Sequence, residues 1–251
     1  MAAGKAAIGG IFVIFADYLH RLLQKQENLS IAETIAHEQS FQQRRLGLPD
    51  AAIGQALQND LLVFGGQDQG NLFVRRGQEW FESKYTRFNP AFMTGELPVY
   101  GAETQGLRSV SVERHHGLSE WELRLRYLLA AHFIRLAEEM LEHSIAYAKT
   151  REVFGQLLFK YQMVTDPMVV ASSELDGNKL YLLARAEALE IEEDGFSRTK
   201  HLLELGFLFA QVAELADSIA PLLGAQGMTE GSPLLGSYRL IHQLAAVGGG
   251  E

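Results

Sequence analysis

The sequence predicts a mainly α-helical protein whose C-terminal half is an up-and-down bundle of four helices. From Ser119 onwards, apolar residues recur every three or four positions, which is the spacing of one helix face. Short breaks containing glycine or proline separate the helical stretches, and short connections make neighbouring helices antiparallel. A small β region and short N-terminal helices are expected before the bundle.

Residues 1–59 are predicted to form a short N-terminal helical region. Apolar spacing indicates a helix over 6–27, and the pattern Ser30-Ile31-Ala32-Glu33 is a capping box that predicts a second helix from 31 to 44. Asp50 is suited to cap a short helix that runs to Leu57. The apolar run near the N-terminus is shorter than the roughly 20 residues of a membrane span, and no cleavage motif follows it. We therefore expect a buried or interface helix rather than a targeting segment or a membrane span.

Residues 60–115 are predicted to form a partial β domain. Apolar runs at 61–64 and 71–74 flank a glycine-rich turn, a pattern typical of a hairpin with a loop longer than two residues. Further strands are expected at 80–81, 85–87 and 95–100.

Residues 116–251 are predicted to form the four-helix bundle. The pattern Ser119-Glu120-Trp121-Glu122 is a second capping box, so the first long helix is expected to begin there, after a loop that contains His115 and His116. Its core stripe reaches Tyr147. The other three helices are expected at about 159–192, 197–222 and 233–246.

Composition excludes several classes of function. The chain has no cysteine, so disulfides, thiolate metal sites and cysteine nucleophiles are absent, which fits a cytoplasmic location. The formal net charge is −9, without the clustered basic face that nucleic-acid binding needs. Histidines lack the spacing of a metal site, so no metal is expected.

The junction between the first two long helices carries the most specific residues. Arg151 complements the negative end of a helix dipole, and its guanidinium fork also suits a phosphate. Phe154 and Gly155 form either a plain helix-to-helix turn or a turn that presents an aromatic ring. Farther on, residues 224–227 bring glycine backbone that either ends a helix or approaches a ligand.

Taken together, residues 60–250 resemble the second half of an acyl-CoA dehydrogenase, a flavoenzyme that desaturates acyl-CoA thioesters. The resemblance rests on a few matching positions: Tyr147-Ala148, Arg151, Phe154-Gly155, Gln162, Gly224-Ala225-Gln226-Gly227 and Arg239. It implies a mainly α fold that closes a β domain with a C-terminal bundle.

The resemblance also implies FAD held at a subunit interface. Arg151, Phe154 and Gln162 would contact this cofactor, while Gly224, Gln226 and Gly227 would lie near its adenosine diphosphate end. An arginine fork and exposed backbone N–H groups suit a pyrophosphate.

The sequence departs from the family at the catalytic base, which removes a proton next to the thioester carbonyl. The two family positions for this carboxylate are Leu125 and Gly248 here, and neither accepts a proton. The nearest carboxylates are Glu120, Glu122 and Glu251, and none falls at a matching position. The catalytic residue is therefore unknown from the sequence.

The family's full N-terminal helical domain and its flavin-facing strand are also missing from residues 1–59. We therefore expect a shortened subunit that pairs with a related dehydrogenase subunit, as a hetero- or homo-oligomer and most plainly as a heteromeric flavoenzyme of lipid metabolism. The expected substrate is an acyl-CoA, and a bulky or steroid side-chain acyl group is compatible with this expectation. Two alternatives stay open. One is a non-catalytic interaction or scaffold protein. The other is a non-redox enzyme that reuses the fold, with Glu122, His132 and Glu251 as its candidate groups.

Overall fold

The structure of the chain is a computed structural model. It describes residues 15–25, 33–34, 52–55, 62–65, 71–76, 79–94, 97–109, 111–189, 195–224, 229 and 232–248. Two compact units are present. The bundle unit comprises 1–28 and 129–249, and the sheet unit comprises 29–128 and 250–251.

The sheet unit contains a five-stranded antiparallel sheet in which strands consecutive in sequence are neighbours. Its strands are β1 (Ala52–Gln55), β2 (Leu62–Gly65), β3 (Asn71–Arg76), β4 (Glu79–Thr94) and β5 (Leu97–Ser109). The predicted hairpin is confirmed, because β2 and β3 pair with Phe64 opposite Phe73. The further strands expected at 80–81 and 85–87 fall within the longer strand β4. Of the strand expected at 95–100, residues 97–100 belong to β5, and 95–96 lie outside the described residues.

The register of β4 against β5 shifts three times, and one shift falls between Pro90 and Phe92. Proline has no backbone N–H to donate to a neighbouring strand, so an irregular register at this point is expected.

The predicted helix between Asp50 and Leu57 is wrong, because the structure has β1 there. Ala52 pairs with Gly65 and Gln55 pairs with Leu62 on β2. Local capping signals are weak compared with the pairing that a neighbouring strand offers, so tertiary structure overrides the local preference.

The first long helix, α1, spans Val112–Thr150 and begins before the predicted capping box. His115 and His116 therefore lie in a helix and not in the expected loop. Ser119 is not an N-cap: it is buried in the helix, where its Oγ accepts a hydrogen bond of 3.0 Å from the Nε1 of Trp80 on β4. Ser119 was predicted to cap the helix because a serine that bonds a distant strand looks identical in sequence to one that caps a helix.

Three further helices complete the bundle, namely α2 (Gln162–Ala188), α3 (Gly195–Ile219) and α4 (Pro233–Gly248). A two-stranded hairpin, β6 (Glu152–Val153) with β7 (Gln156–Leu157), and a 3₁₀ turn (Leu158–Lys160) connect α1 to α2. A second 3₁₀ turn (Ala220–Leu223) follows α3. The sequence placed each of the last three helices within a few residues of its observed bounds.

Pairwise contacts hold the helices of the bundle unit together. Phe133 on α1 and Phe209 on α3 pack with their ring centroids 5.0 Å apart. Four charged or polar contacts link neighbouring helices: Lys179 of α2 with Glu138 of α1, Arg185 of α2 with Glu204 of α3, and both Tyr238 and His242 of α4 with Asp217 of α3. Each helix thus runs antiparallel to the one before it, as short connections require.

Residues 15–23 form the described part of the predicted N-terminal helix. Phe15, Leu19, Leu22 and Leu23 are buried, and Lys25 forms a salt bridge of 2.7 Å with Glu142 of α1. The expectation of a buried helix is met for this segment. Residues 33–34 are helical, and the rest of the helix predicted over 31–44 lies outside the described residues.

The predicted mainly α fold class is confirmed. The domain boundaries expected at 1–59, 60–115 and 116–251 stay a prediction. Within the described ranges, none of the helices is long and apolar enough to cross a bilayer.

Candidate functional site

Residues 151–162, the corner segment, contain three of the predicted cofactor-binding residues. Arg151 directly follows α1, Phe154 occupies the turn between β6 and β7, and Gln162 is the first residue of α2. All three side chains are exposed to solvent. The structure therefore gathers Arg151, Phe154 and Gln162 in one short stretch of surface.

The backbone of the corner segment is held by several hydrogen bonds. The N–H of Arg151 donates to the Tyr147 carbonyl at 2.9 Å, and the Arg151 carbonyl accepts from the N–H of Leu158 at 2.7 Å. The hydroxyl of Tyr161 donates to the carbonyl of Val153 at 2.7 Å, which ties the hairpin to the start of α2. Both backbone groups of Arg151 are thus bonded, so the starting point of its side chain is fixed.

The turn of the hairpin forces an aromatic residue into an unfavourable backbone conformation. Phe154 has φ 49° and Gly155 has φ 81°, so both central residues lie in the left-handed region, as in a type I′ turn. Glycine adopts this region freely, whereas a bulky residue there costs about 1–2 kcal/mol. Nothing lies within 4 Å of a Cβ built on Gly155, so its conformation, and not lack of space, explains the glycine.

Phe154 is 97% exposed, the highest exposure among the described large apolar side chains. Burying a phenylalanine side chain contributes roughly 1.5–3 kcal/mol relative to leaving it in water. An unfavourable φ and an unburied ring at the same residue therefore give the free chain no stability.

The corner segment and the adjoining end of α1 carry positively charged side chains. Lys149, Arg151 and Lys160 are all exposed, with the exposed acid Glu152 between them. The Nζ of Lys149 lies 5.4 Å from the centroid of the Phe159 ring, a cation–π contact that orients both side chains. Neither Lys149 nor Phe159 was singled out from the sequence, because the contact depends on how the 3₁₀ turn folds back. Within the described part of the chain, the Arg151 guanidinium forms no salt bridge.

Among the predicted glycine-segment residues, Gly224 is described. It caps the 3₁₀ turn with φ 56°, is exposed, and donates its N–H to the Pro221 carbonyl. A helix stop accounts for this geometry without a ligand. Gln226 and Gly227 lie outside the described residues, so the predicted role of the segment stays a prediction.

The two positions predicted to correspond to the family's catalytic base hold no proton acceptor. Leu125 is buried inside α1 at 1% exposure, and Gly248 is the last residue of α4. The nearby Glu122 is completely buried and forms a salt bridge of 3.0 Å with Arg126, one turn along the helix. A carboxylate in such a pair is closed to solvent and already accepts from the guanidinium of its partner.

His132 is a further buried titratable group on α1. Burial, assisted by the charge of Arg135, lowers the pKa of His132 to about 4. The imidazole is therefore neutral at physiological pH. In the described residues, no group of three His, Asp or Glu side chains is arranged to hold a metal ion.

A family model for the C-terminal domain of acyl-CoA dehydrogenases matches residues 123–251. The chain belongs to the acyl-CoA dehydrogenase family. The predicted resemblance is therefore confirmed for the C-terminal half of the sequence. No curated protein matches the chain in sequence.

Solved structures of this family share the fold. A steroid acyl-CoA dehydrogenase variant, Tcur3481–Tcur3483, has a TM-score of 0.60 at 15% identity and covers 80% of this chain and 59% of its own. The ChsE4–ChsE5 complex from Mycobacterium tuberculosis has a TM-score of 0.56 at 15% identity, covering 81% and 60%. A glutaryl-CoA dehydrogenase from Mycobacterium smegmatis, solved with FADH2, has a TM-score of 0.56 at 14% identity, covering 80% and 57%. The chain thus spans less than two thirds of each of these relatives.

Proposed function

We propose that this chain is an acyl-CoA dehydrogenase-like subunit that completes an FAD site in a heteromeric flavoenzyme. The observation that carries the proposal is the corner segment, where a firmly held backbone presents Phe154 almost wholly to solvent beside Arg151. A surface that is costly for the isolated chain gains stability when its ring packs against another molecule. A related subunit with its flavin is the partner that belongs with this family.

The residues of the corner segment suit a dinucleotide. The exposed guanidinium of Arg151 can form two parallel hydrogen bonds to a pyrophosphate, and Lys149 and Lys160 add positive charge beside it. Phe154 offers an aromatic face, and Gln162 offers an amide that both donates and accepts. Gly224, Gln226 and Gly227 are proposed to approach the adenosine diphosphate end. The flavin itself would supply the hydride acceptor.

Proton abstraction is assigned to the partner subunit. Desaturation needs a carboxylate at the carbon next to the thioester carbonyl. In this chain Leu125 is apolar and buried, and Glu122 is locked against Arg126. The partner would therefore provide the base and the strands that face the flavin ring, while this chain provides the cofactor contacts.

The proposed substrate of the assembly is an acyl-CoA, within lipid metabolism and in the cytoplasm. Two of the structures that share the fold are a steroid acyl-CoA dehydrogenase and a complex of two differently named chains. This supports a bulky or steroid side-chain acyl group and a two-chain assembly for the present protein. The division into 1–59, 60–115 and 116–251 is also proposed for this chain.

A non-catalytic interaction protein is the second candidate, and the buried apolar residue at a base position favours it. Such a protein would keep the bundle and bind no flavin. A non-redox enzyme built on Glu122 or His132 is less well supported, because the first is ion-paired and the second is neutral and buried.

Co-purification with the visible spectrum of the product tests the proposal. The tagged chain is co-expressed with the genes that neighbour its own, and the purified complex is examined by mass spectrometry and absorbance. We expect a related dehydrogenase subunit and a flavin absorbance band. A colourless protein that binds no such subunit and does not respond to added FAD would exclude the proposal and favour the interaction protein.

A further inference from the structure

Tyr161 lies between the 3₁₀ turn and α2, and each of its polar groups forms a hydrogen bond. Its N–H donates to the Leu158 carbonyl at 3.1 Å, and its own carbonyl accepts from the N–H groups of Val164 and Thr165 at 2.9 and 3.1 Å. Its hydroxyl donates to the Val153 carbonyl at 2.7 Å. One residue therefore joins the hairpin, the 3₁₀ turn and the first turn of α2.

The hydroxyl is the group that makes tyrosine special at this position. Every residue except proline carries the N–H and the carbonyl that bond to the 3₁₀ turn and to α2. The hydroxyl, at the tip of a half-buried ring, reaches a carbonyl eight residues earlier in the chain. A phenylalanine would keep the ring and the backbone bonds but would remove this donor from the Val153 carbonyl.

The Val153 carbonyl belongs to the peptide unit that leads into the unfavourable turn. The carbonyl of Val153 and the N–H of Phe154 lie in one planar peptide group. The φ of Phe154, 49°, is the rotation about the bond that leaves this plane. A hydrogen bond that fixes the plane therefore also fixes the direction from which the Phe154 ring is presented.

The hairpin is short, so a bond from outside it matters for its conformation. Its two strands contain two residues each, paired as Glu152 with Leu157 and Val153 with Gln156. A two-stranded hairpin is at best marginally stable in water. The exposed ring of Phe154 and its positive φ do not stabilise it. The hydroxyl bond to Val153 is thus placed where it has most effect on the turn.

We infer that Tyr161 is a positioning residue, whose hydroxyl holds the turn so that Phe154 is presented to the flavin site. The inference rests on the proposed function, because the segment that Tyr161 holds is the one that carries that proposal. Its hydroxyl is donated to Val153, so Tyr161 acts through Phe154 and not by a contact with the cofactor.

The affinity of the assembled complex for FAD, with Tyr161 altered in this chain alone, tests the positioning role. Tyr161→Phe should raise the Kd about 2- to 10-fold, which is the range expected for the loss of one hydrogen bond. In a complex that already carries Phe154→Ala, the same change should alter the Kd by less than about twofold, because the residue through which it acts is gone. Equal effects of Tyr161→Phe in both backgrounds would overturn the inference.

Tyr238→Phe is the matched control for the loss of a hydroxyl. The hydroxyl of Tyr238 also donates over 2.7 Å, to Asp217, and it joins α4 to α3 instead of holding the hairpin. Its removal should leave the Kd for FAD within about twofold. If Tyr238→Phe weakened FAD binding as much as Tyr161→Phe, a general loss of structure would explain both results and would exclude the positioning role.

Backbone amide exchange in the isolated chain, followed by NMR, separates this inference from the flavin proposal. The N–H of Leu158 donates to the Arg151 carbonyl at 2.7 Å and closes the corner segment. Tyr161→Phe should speed its exchange about 2- to 10-fold, and Tyr238→Phe should not. Unchanged exchange in Tyr161→Phe would overturn the inference whatever the complex binds. Faster exchange together with a wild-type complex that binds no FAD would instead contradict the proposed function, and the positioning role would fall with it.

Discussion

The corner segment and residues 122–126 of α1 differ in the exposure of the side chains that the sequence links to a dehydrogenase site. In the corner segment, Arg151 and Phe154 are exposed on a backbone fixed by hydrogen bonds. In α1, Leu125 is apolar and buried, and the buried Glu122 forms a salt bridge with Arg126. The first group of side chains is open to another molecule, whereas the second belongs to the protein interior. This difference is what the proposed role requires, in which the chain contacts a cofactor and the partner supplies the base.

The largest expected effect comes from breaking the buried ion pair. Glu122→Gln should destabilise the chain by up to about 3–5 kcal/mol, because the buried guanidinium of Arg126 loses the negative charge of its ion-pair partner. Chemical denaturation measures this loss. Glu142→Gln removes a partner of the exposed Lys25 salt bridge and should cost less than about 1 kcal/mol.

The same two variants also test whether Glu122 is catalytic. If Glu122→Gln were as stable as the wild type but abolished turnover of the assembled enzyme, the carboxylate would be catalytic and the interior of α1 would be a working site.

A second expected effect is a dependence of stability on pH through His132. The pKa is lowered from 6.5 to about 4 in the folded chain, so between these values the unfolded chain binds a proton that the folded chain does not. The free energy of unfolding should therefore fall as pH falls through this window, by up to roughly 1.4 kcal/mol per pH unit.

Denaturation at a series of pH values, with His132→Gln, isolates this contribution. The variant should lose that part of the slope, whereas His143→Gln, at an exposed position on the same helix, should keep it. An unchanged slope in His132→Gln would show that the imidazole is not buried in its neutral form.

The sequence predicted the helices of the bundle well because their signal is local. Apolar spacing over ten or more residues is enough to place α2, α3 and α4. It failed where a residue bonds to a distant partner. Ser119 resembles a cap, but its hydroxyl accepts from Trp80, which is 39 residues earlier. The stretch Ala52–Gln55 follows a good capping residue, but it pairs with β2.

The sequence named candidate site residues but not how they are presented. The resemblance to the family pointed to Arg151, Phe154 and Gln162, and their role stays a prediction. It could not show that Phe154 is 97% exposed at a positive φ, since these properties depend on the hairpin and on the hydrogen bond from Tyr161.

The smallest expected effect is a change in stability at Phe154. Phe154→Asn should stabilise the isolated chain by about 1 kcal/mol, because asparagine tolerates the left-handed conformation and Asn-Gly suits a type I′ turn. The same variant should weaken association with the partner subunit.

Phe154→Leu is the control, since it removes the ring but keeps a side chain that is unfavourable at this φ. It should weaken association without any gain in stability. A loss of stability in Phe154→Asn would indicate that the ring is packed within its own chain.

The proposed contact between Arg151 and the flavin cofactor can be measured directly. The measurement is the affinity of the assembled complex for FAD, with Arg151 altered in this chain alone. Arg151→Ala should raise the Kd for FAD roughly 10- to 100-fold, as expected when a charged hydrogen bond worth about 1.5–3 kcal/mol is lost. Arg151→Lys should recover part of this, because the charge remains while the fork is lost. An unchanged Kd in Arg151→Ala, with the complex intact, would contradict the claim that this chain helps to hold its partner's flavin.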